Sequence, residues 1–208
     1  LPPTPTRPIA ELLREGQEII VQVVKDPIGS KGARLTTQLS IPSRYLVLLP
    51  RTRVVGVSAR IEDEAERARL KTHITSLAPS GESHGYIVRT NAEGQPEEQL
   101  GEDVAYLHRV WALIEERSRN ARVGGRVYDH LNLPLRAVRD LMRKDVEKVR
   151  VDSRETCERL RVFAAQYMPG LDEKIEHYTG ARPIFDLYGV EDEIQRALDK
   201  EVPLKSGG

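Results

Sequence analysis

Cysteine is nearly absent from this chain: Cys157 is the only one in 208 residues. A single thiol excludes an intrachain disulfide and a thiolate-rich metal site within the chain, and it suits a reducing compartment, so a cytoplasmic location is expected. Aromatic residues are also few, at 5%. No apolar run is long enough to span a bilayer, and the proline-rich opening from Leu1 to Pro8 lacks the apolar core of a signal peptide, so no membrane partner is expected. Net charge is missing too, because 32 basic residues balance 32 acidic ones. Any attraction to a polyanion must therefore be local. No pair of carboxylates offers itself as a two-metal site. What remains is a soluble, globular composition, long enough for one large domain or two or three small ones.

One local absence is informative. Between Asp26 and Glu62 there is no acid, while Lys31, Arg34, Arg44, Arg51, Arg53 and Arg60 all fall in that window. Such a run reads either as a solvated face or, on a small antiparallel barrel, as a positive groove for a single-stranded phosphate backbone. Tyr45 is the only aromatic in the window, so stacking platforms for bases are scarce there.

The stretch with the clearest chemical content is Gly85-Tyr86-Ile87-Val88-Arg89-Thr90. Read as a strand, it places Tyr86, Val88 and Thr90 on one side and Ile87 and Arg89 on the other, delivering Arg89 to an edge. Arginine presents a planar fork of donors that fits phosphate oxygens, and the neighbouring threonine adds a rotatable hydroxyl. Taken alone, the same pair also reads as a surface residue followed by a turn residue.

Around it the chain divides into a β-rich opening and an α/β remainder. Pro2 to Pro8 reads as an extended lead-in and Ile9 to Arg14 as a helical turn closed by Gly16. Strands are predicted over Glu18–Lys25, Arg34–Ser40, Tyr45–Leu49 (apolar on both faces) and Val54–Val57. From Glu62 the period becomes helical, with Leu70, Ile74 and Leu77 on the apolar side, ending at Ala78-Pro79-Ser80-Gly81. A second helix carries Val104, Leu107, Trp111 and Ile114 on one stripe, so Trp111 is a core residue and His108, beside the stripe, is structural. Arg119 to Gly125 reads as a loop.

Pro134 suits the first turn of the next helix. Glu147–Val151 alternates like a strand, and Asp152 with Glu155 resembles a capping box for a helix whose stripe includes Cys157, Leu160 and Ala164. Cys157 is thereby a small core hydrophobe. A short helix is predicted over Asp172–Tyr178, then a connector Pro183–Tyr188 with Phe185 for packing, and a last helical face of Val190, Ile194, Ala197 and Leu198.

Several segments carry a resemblance: Gly16-Gln17 to Val24, Lys31-Gly32-Ala33-Arg34-Leu35-Thr36-Thr37, Ser43-Arg44-Tyr45-Leu46-Val47, Gly56 to Glu62, Ile87-Val88-Arg89-Thr90, and His177-Tyr178-Thr179-Gly180 onward to Ser206-Gly207-Gly208. In order and over nearly the whole chain, they resemble the ribonuclease E/G family.

The resemblance implies a mosaic α+β and α/β fold. Residues 1–38 match the C-terminal part of an S1 domain (OB-type β-barrel), 39–134 the 5′-sensor region, and 135–208 an RNase H-like domain. It implies that Arg89 and Thr90 hold the 5′-monophosphate of a single-stranded RNA, that the main chain at Ser43 and Val47 lines the same pocket, and that Lys31 belongs to an RNA-binding surface, with Arg34, Arg44 and Arg60 as further RNA contacts. The family's best-known sensor has an arginine where this chain has Ala59. The family's chemistry needs Mg2+, whose aspartate ligands lie in a DNase I-like domain expected beyond Gly208. The parent is therefore expected to be a homo-oligomeric endoribonuclease of rRNA maturation and mRNA decay. This chain is expected to hold recognition without catalytic residues. The alternative is a non-catalytic RNA-binding or subunit-assembly module.

Overall fold

A computed structural model describes residues 8–78, 84–143, 145–204 and 206–208. The lead-in expected over Pro2–Pro8 falls outside them except at Pro8, as does the helix stop from Pro79 to Gly81. The chain divides into two compact units, Leu1–His130 and Leu131–Gly208.

The first unit opens with a helical turn α1 (Ile9–Leu12), then strands β1 (Gln22–Lys25) and β2 (Arg34–Thr36), paired antiparallel as a two-stranded sheet. Among the described residues these strands are not part of a closed barrel. Both are shorter than predicted, since Glu18–Val21 and Thr37–Ser40 lie outside the ladder. The ribbon has no covered face: Val23 is 49% and Leu35 53% exposed, and an isolated pair of strands gains little from extending. The Gln22 side chain instead secures Ser40, accepting its N–H at 2.9 Å and donating to its carbonyl at 3.1 Å.

The core of this unit is a four-stranded sheet built from β3 (Ile41–Pro42), β4 (Leu46–Pro50), β5 (Val55–Val57) and, after helix α2 (Glu64–Leu77), β6 (His84–Val88). Its order is β3-β4-β6-β5, with β6 antiparallel to β4 and parallel to β5. Burial alternates along β4: Leu46, Leu48 and Pro50 are buried while Val47 and Leu49 are half-buried, so only one face is fully covered. Asp63 caps α2 by accepting the Ala65 N–H at 2.9 Å. The helix α3 (Glu97–Asn120) runs one residue past the predicted loop start at Arg119 and buries Leu100, Val104, Leu107, Trp111 and Ile114. Helices α2 and α3 pack on the sheet and on each other. The predicted β-α-β-α order is present as β5-α2-β6-α3.

The second unit begins with α4 (Leu133–Leu141), which has Pro134 in its first turn. Strand β7 (Val149–Val151), helix α5 (Arg154–Tyr167) and strand β8 (Ile175–His177) then form a β-α-β unit with parallel strands. Its core holds Cys157, Leu160, Phe163, Ala164 and Ile175. Three expectations differ here. The cap of α5 is Ser153, whose hydroxyl accepts the Thr156 N–H, one residue beyond Asp152. The helix expected over Asp172–Tyr178 is a 3-10 turn at Asp172–Lys174 leading into β8, because pairing with β7 outweighs local preference. Pro183–Tyr188 contains the helical turn α6 (Ile184–Leu187), with Phe185 50% exposed. The last helix, α7 (Val190–Ala197), buries none of its residues.

Candidate functional site

Arg89 follows directly on β6, where the chain leaves the sheet for a 3-10 turn at Thr90–Ala92. Thr90 therefore does not continue the strand alternation; it turns outward and is exposed. The Arg89 N–H still donates to the Tyr45 carbonyl at 2.8 Å, which fixes its backbone against the turn that joins β3 to β4. Its guanidinium crosses to the same turn, with Nη1 donating to the carbonyls of Ser43 at 2.5 Å and Arg44 at 3.4 Å. Arg89 is half-buried, and among the described residues no carboxylate forms an ion pair with it.

That turn is held from below by an acid on α3. Asp103 Oδ2 accepts the Ser43 hydroxyl at 2.5 Å, the Tyr45 N–H at 2.9 Å and the Leu46 N–H at 3.0 Å. Ser43 is fully buried and Asp103 only 8% exposed. Burial pushes the Asp103 carboxyl above the ordinary carboxylate range, opposed by the Ser43 hydroxyl, by the main-chain N–H groups of Tyr45 and Arg44, and by the Arg44 charge. Convergent N–H donors of this kind form a nest for an anion, here filled by a side chain of the protein. The Arg44 guanidinium lies over the Tyr45 ring at 5.5 Å, and the Tyr45 hydroxyl donates to Gln99 Oε1 at 2.7 Å.

A second small cluster lies at the end of β5. The Ser58 N–H donates to the Val88 carbonyl at 2.9 Å, and Ser58 Oγ lies 3.4 Å from Thr90 Oγ1. The same hydroxyl accepts the Arg60 N–H at 3.3 Å, leaving the Arg60 side chain on an exposed residue. Arg67 on α2 steadies the segment through the carbonyls of Ser58 and Ile61. One neighbourhood thus collects Arg89, Thr90, Ser43, Arg44 and Arg60 on strand ends and turns.

Val47 sits differently. The bond from Arg89 to Tyr45 makes those two a hydrogen-bonded pair, so alternation makes Val47 and Ile87 the next such pair. The Val47 main chain is directed at Ile87, and its half-buried side chain is what it presents. Lys31 and Arg34 belong to the separate β1–β2 ribbon: both are exposed, and Lys31 closes a bridge with Ile28 around Gly29, whose φ is 58°.

Asp103 and Ser58 were not among the residues singled out from sequence. Asp103 did leave a signal, since it occupies a stripe position between Leu100 and Leu107 where an apolar residue is the rule. Ser58 left none. In the second unit, a groove of about 540 Å³ is lined by Glu147, Lys148, Arg150, Phe185 and Tyr188 among others, and both of its cations pair with Glu176 beside it. Arg150 pairs with Glu176 at 2.7 Å and donates to the Tyr188 hydroxyl at 2.6 Å. No group of three or more His, Cys, Asp or Glu that could hold a metal ion occurs among the described residues.

The profile of the Ribonuclease E/G family matches residues 40–208, and the chain belongs to that family. It is similar to proteins named Ribonuclease G. It is 52% identical over 202 residues to the one from Salmonella typhimurium (strain SL1344), covering 97% of this chain and 41% of that protein. The identity to Ribonuclease G of Escherichia coli (strain K12) is 51% with the same coverage. Ribonuclease E of the same strain is 38% identical over 203 residues, covering 96% of this chain and 19% of that protein. The chain spans about two fifths of the length of the ribonucleases G it matches. No helix among the described residues is long and apolar enough to cross a membrane.

Proposed function

We propose that this chain is the RNA-recognition portion of a single-strand-specific endoribonuclease, with Arg89 and Thr90 gripping the 5′-monophosphate of the substrate. The observation that carries the reading is the Arg89 guanidinium, held through Nη1 by the carbonyls of Ser43 and Arg44 with no acid among the described residues paired with it, next to the exposed Thr90. Carbonyl acceptors orient a guanidinium while leaving its positive charge uncancelled, which is what a dianionic group requires. A terminal monophosphate carries more charge than an internal diester. Ser43 completes the pocket wall with its main chain and Val47 with its half-buried side chain, and Arg44 and Arg60 receive the following phosphates. Lys31 and Arg34 form a separate backbone contact.

On this reading residues 1–38 are the end of an S1 domain, 39–134 the sensor and 135–208 an RNase H-like support. The whole protein is a cytoplasmic homo-oligomer acting in rRNA maturation and mRNA decay. It uses Mg2+ held by residues outside this chain, and the chain alone is inactive. The test is binding of the full-length protein to one oligonucleotide made with a 5′-monophosphate or a 5′-hydroxyl. Tighter binding of the monophosphate, abolished by Arg89→Ala, is expected; equal affinity for both ends in the unmutated protein overturns the reading.

A subunit-assembly role is favoured for the second unit by its uncovered apolar side chains, among them Phe185 at 50%, Tyr188 at 59% and Leu198 at 74% exposure. Substituting these with polar residues separates the two roles, since an assembly surface changes oligomeric state and leaves 5′-end preference intact.

A further inference from the structure

The turn joining β3 to β4 has one hydrogen bond fewer than its geometry allows. When antiparallel strands are joined through two loop residues, the flanking pair exchanges both N–H···O bonds. Here Ser43 and Leu46 are that pair, with Arg44 and Tyr45 between them. The Ser43 N–H does donate to the Leu46 carbonyl, at 2.8 Å. The reciprocal bond is not made: the Leu46 N–H turns to Asp103 Oδ2 at 3.0 Å and to Ser43 Oγ at 3.3 Å. The Ser43 carbonyl, released from its ordinary partner, accepts the Arg89 guanidinium at 2.5 Å.

We infer that Asp103 is a positioning residue for Arg89: by drawing the Leu46 N–H into its carboxylate it frees the Ser43 carbonyl, and that carbonyl holds the guanidinium where it meets the 5′-phosphate. The inference rests on the phosphate-site reading above and extends it to a residue one layer away that touches no ligand. Asp103 is buried on α3, beneath the turn, so its effect passes through the atoms of the turn: the Tyr45 and Leu46 N–H groups and the Ser43 hydroxyl. Removing its acceptor oxygens returns the Leu46 N–H to the Ser43 carbonyl. Arg89 then shares its shorter anchor with the Leu46 N–H, which weakens that anchor, and keeps the 3.4 Å contact to Arg44. The convergence of the Ser43 hydroxyl and the Tyr45 and Leu46 N–H groups on one buried oxygen agrees with a specific role, because a buried polar group is tolerated where such donors satisfy it.

The test is a double-mutant cycle in the full-length protein, read as the affinity ratio between 5′-monophosphate and 5′-hydroxyl forms of one oligonucleotide. Arg89→Ala brings the ratio to about one. Asp103→Asn, an isosteric change that removes the charge and replaces one of the two acceptor oxygens with a donor, lowers the ratio by about tenfold while leaving affinity for the 5′-hydroxyl form unchanged. In the Arg89→Ala background Asp103→Asn has no further effect on the ratio, because the two residues act in series. If Arg89→Ala erases the preference but Asp103→Asn retains it, or lowers both affinities equally, the inference falls and the phosphate site stands. If Arg89→Ala leaves the preference intact, the site itself falls. Should Asp103→Asn fail to fold, Asp103→Leu, which removes both acceptor oxygens at a position on the apolar stripe of α3, carries the same outcomes: a reduced ratio supports the inference, an unchanged one overturns it.

Discussion

The Tyr86 hydroxyl on β6 lies 2.7 Å from Nε2 of His108 on α3, joining the central strand to the longest helix beneath the fully buried Tyr86 ring. Tyr86→Phe keeps the ring and removes this bond. It is expected to cost about 1 kcal/mol of stability, the usual worth of such a bond, and to leave 5′-end preference unchanged. Urea unfolding of the two proteins with identical slopes but shifted midpoints checks it.

Gly85 is required by close packing. A Cβ there would overlap Thr52 Oγ1 and lie 2.6 Å from the Val54 carbonyl, which is itself pinned by accepting the Tyr86 N–H at 2.9 Å. Gly85→Ala is expected to cost about 2 kcal/mol through overpacking. Gly56, on the adjacent strand, has nothing within 4 Å of the same added atom. Gly56→Ala should be close to neutral, and thermal melts of the pair read the difference directly.

Glu66 and Arg69 on α2 supply a pH dependence. The Arg69 fork, and after it the Gly94 N–H, hold the Glu66 carboxyl at about 2 against an ordinary 4.5. The folded value is the lower one, so the stabilisation is complete above 4.5 and is lost as pH falls toward 2. Both side chains are partly reached by solvent, which limits the pair to about 1 kcal/mol. Glu66→Gln should therefore be destabilised at neutral pH by about that amount, with the gap to the unmutated protein closing in a urea series taken down to pH 2.

Lys31 and Arg34 give a prediction of another kind. As exposed cations on the β1–β2 ribbon, they are proposed to bind phosphates without regard to the 5′ end. Replacing either with alanine should weaken the 5′-monophosphate and 5′-hydroxyl oligonucleotides equally. The slope of log affinity against log salt should fall by about one per residue. A loss confined to the monophosphate form would contradict the assignment.

Much of the sheet was legible in the sequence because burial and alternation coincide there. Val55–Val57, Leu46–Pro50 and His84–Val88 are apolar runs bounded by turn residues, and the α3 stripe from Leu100 to Ile114 has a clean helical period. Strand β8 was not legible: Ile175-Glu176-His177 is short and polar, and becomes a strand through its pairing with Val149–Val151. The site divides the same way. Arg89 and Thr90 stand out as residue types at the end of an apolar run. The way the β3–β4 turn closes depends on an acid 57 residues after Leu46, a contact that no local pattern encodes.

Strand β6 is bound by neighbours running in opposite senses, Leu46–Pro50 against it and Val55–Val57 alongside it. A slip that satisfied one partner would misalign the other, and would also carry Arg89 to the reverse side of the sheet. One residue inserted between His84 and Arg89 should therefore abolish the proposed preference for a 5′-monophosphate outright. The reading frame of that short strand, more than the chemistry of any one atom in it, sets where the positive charge emerges.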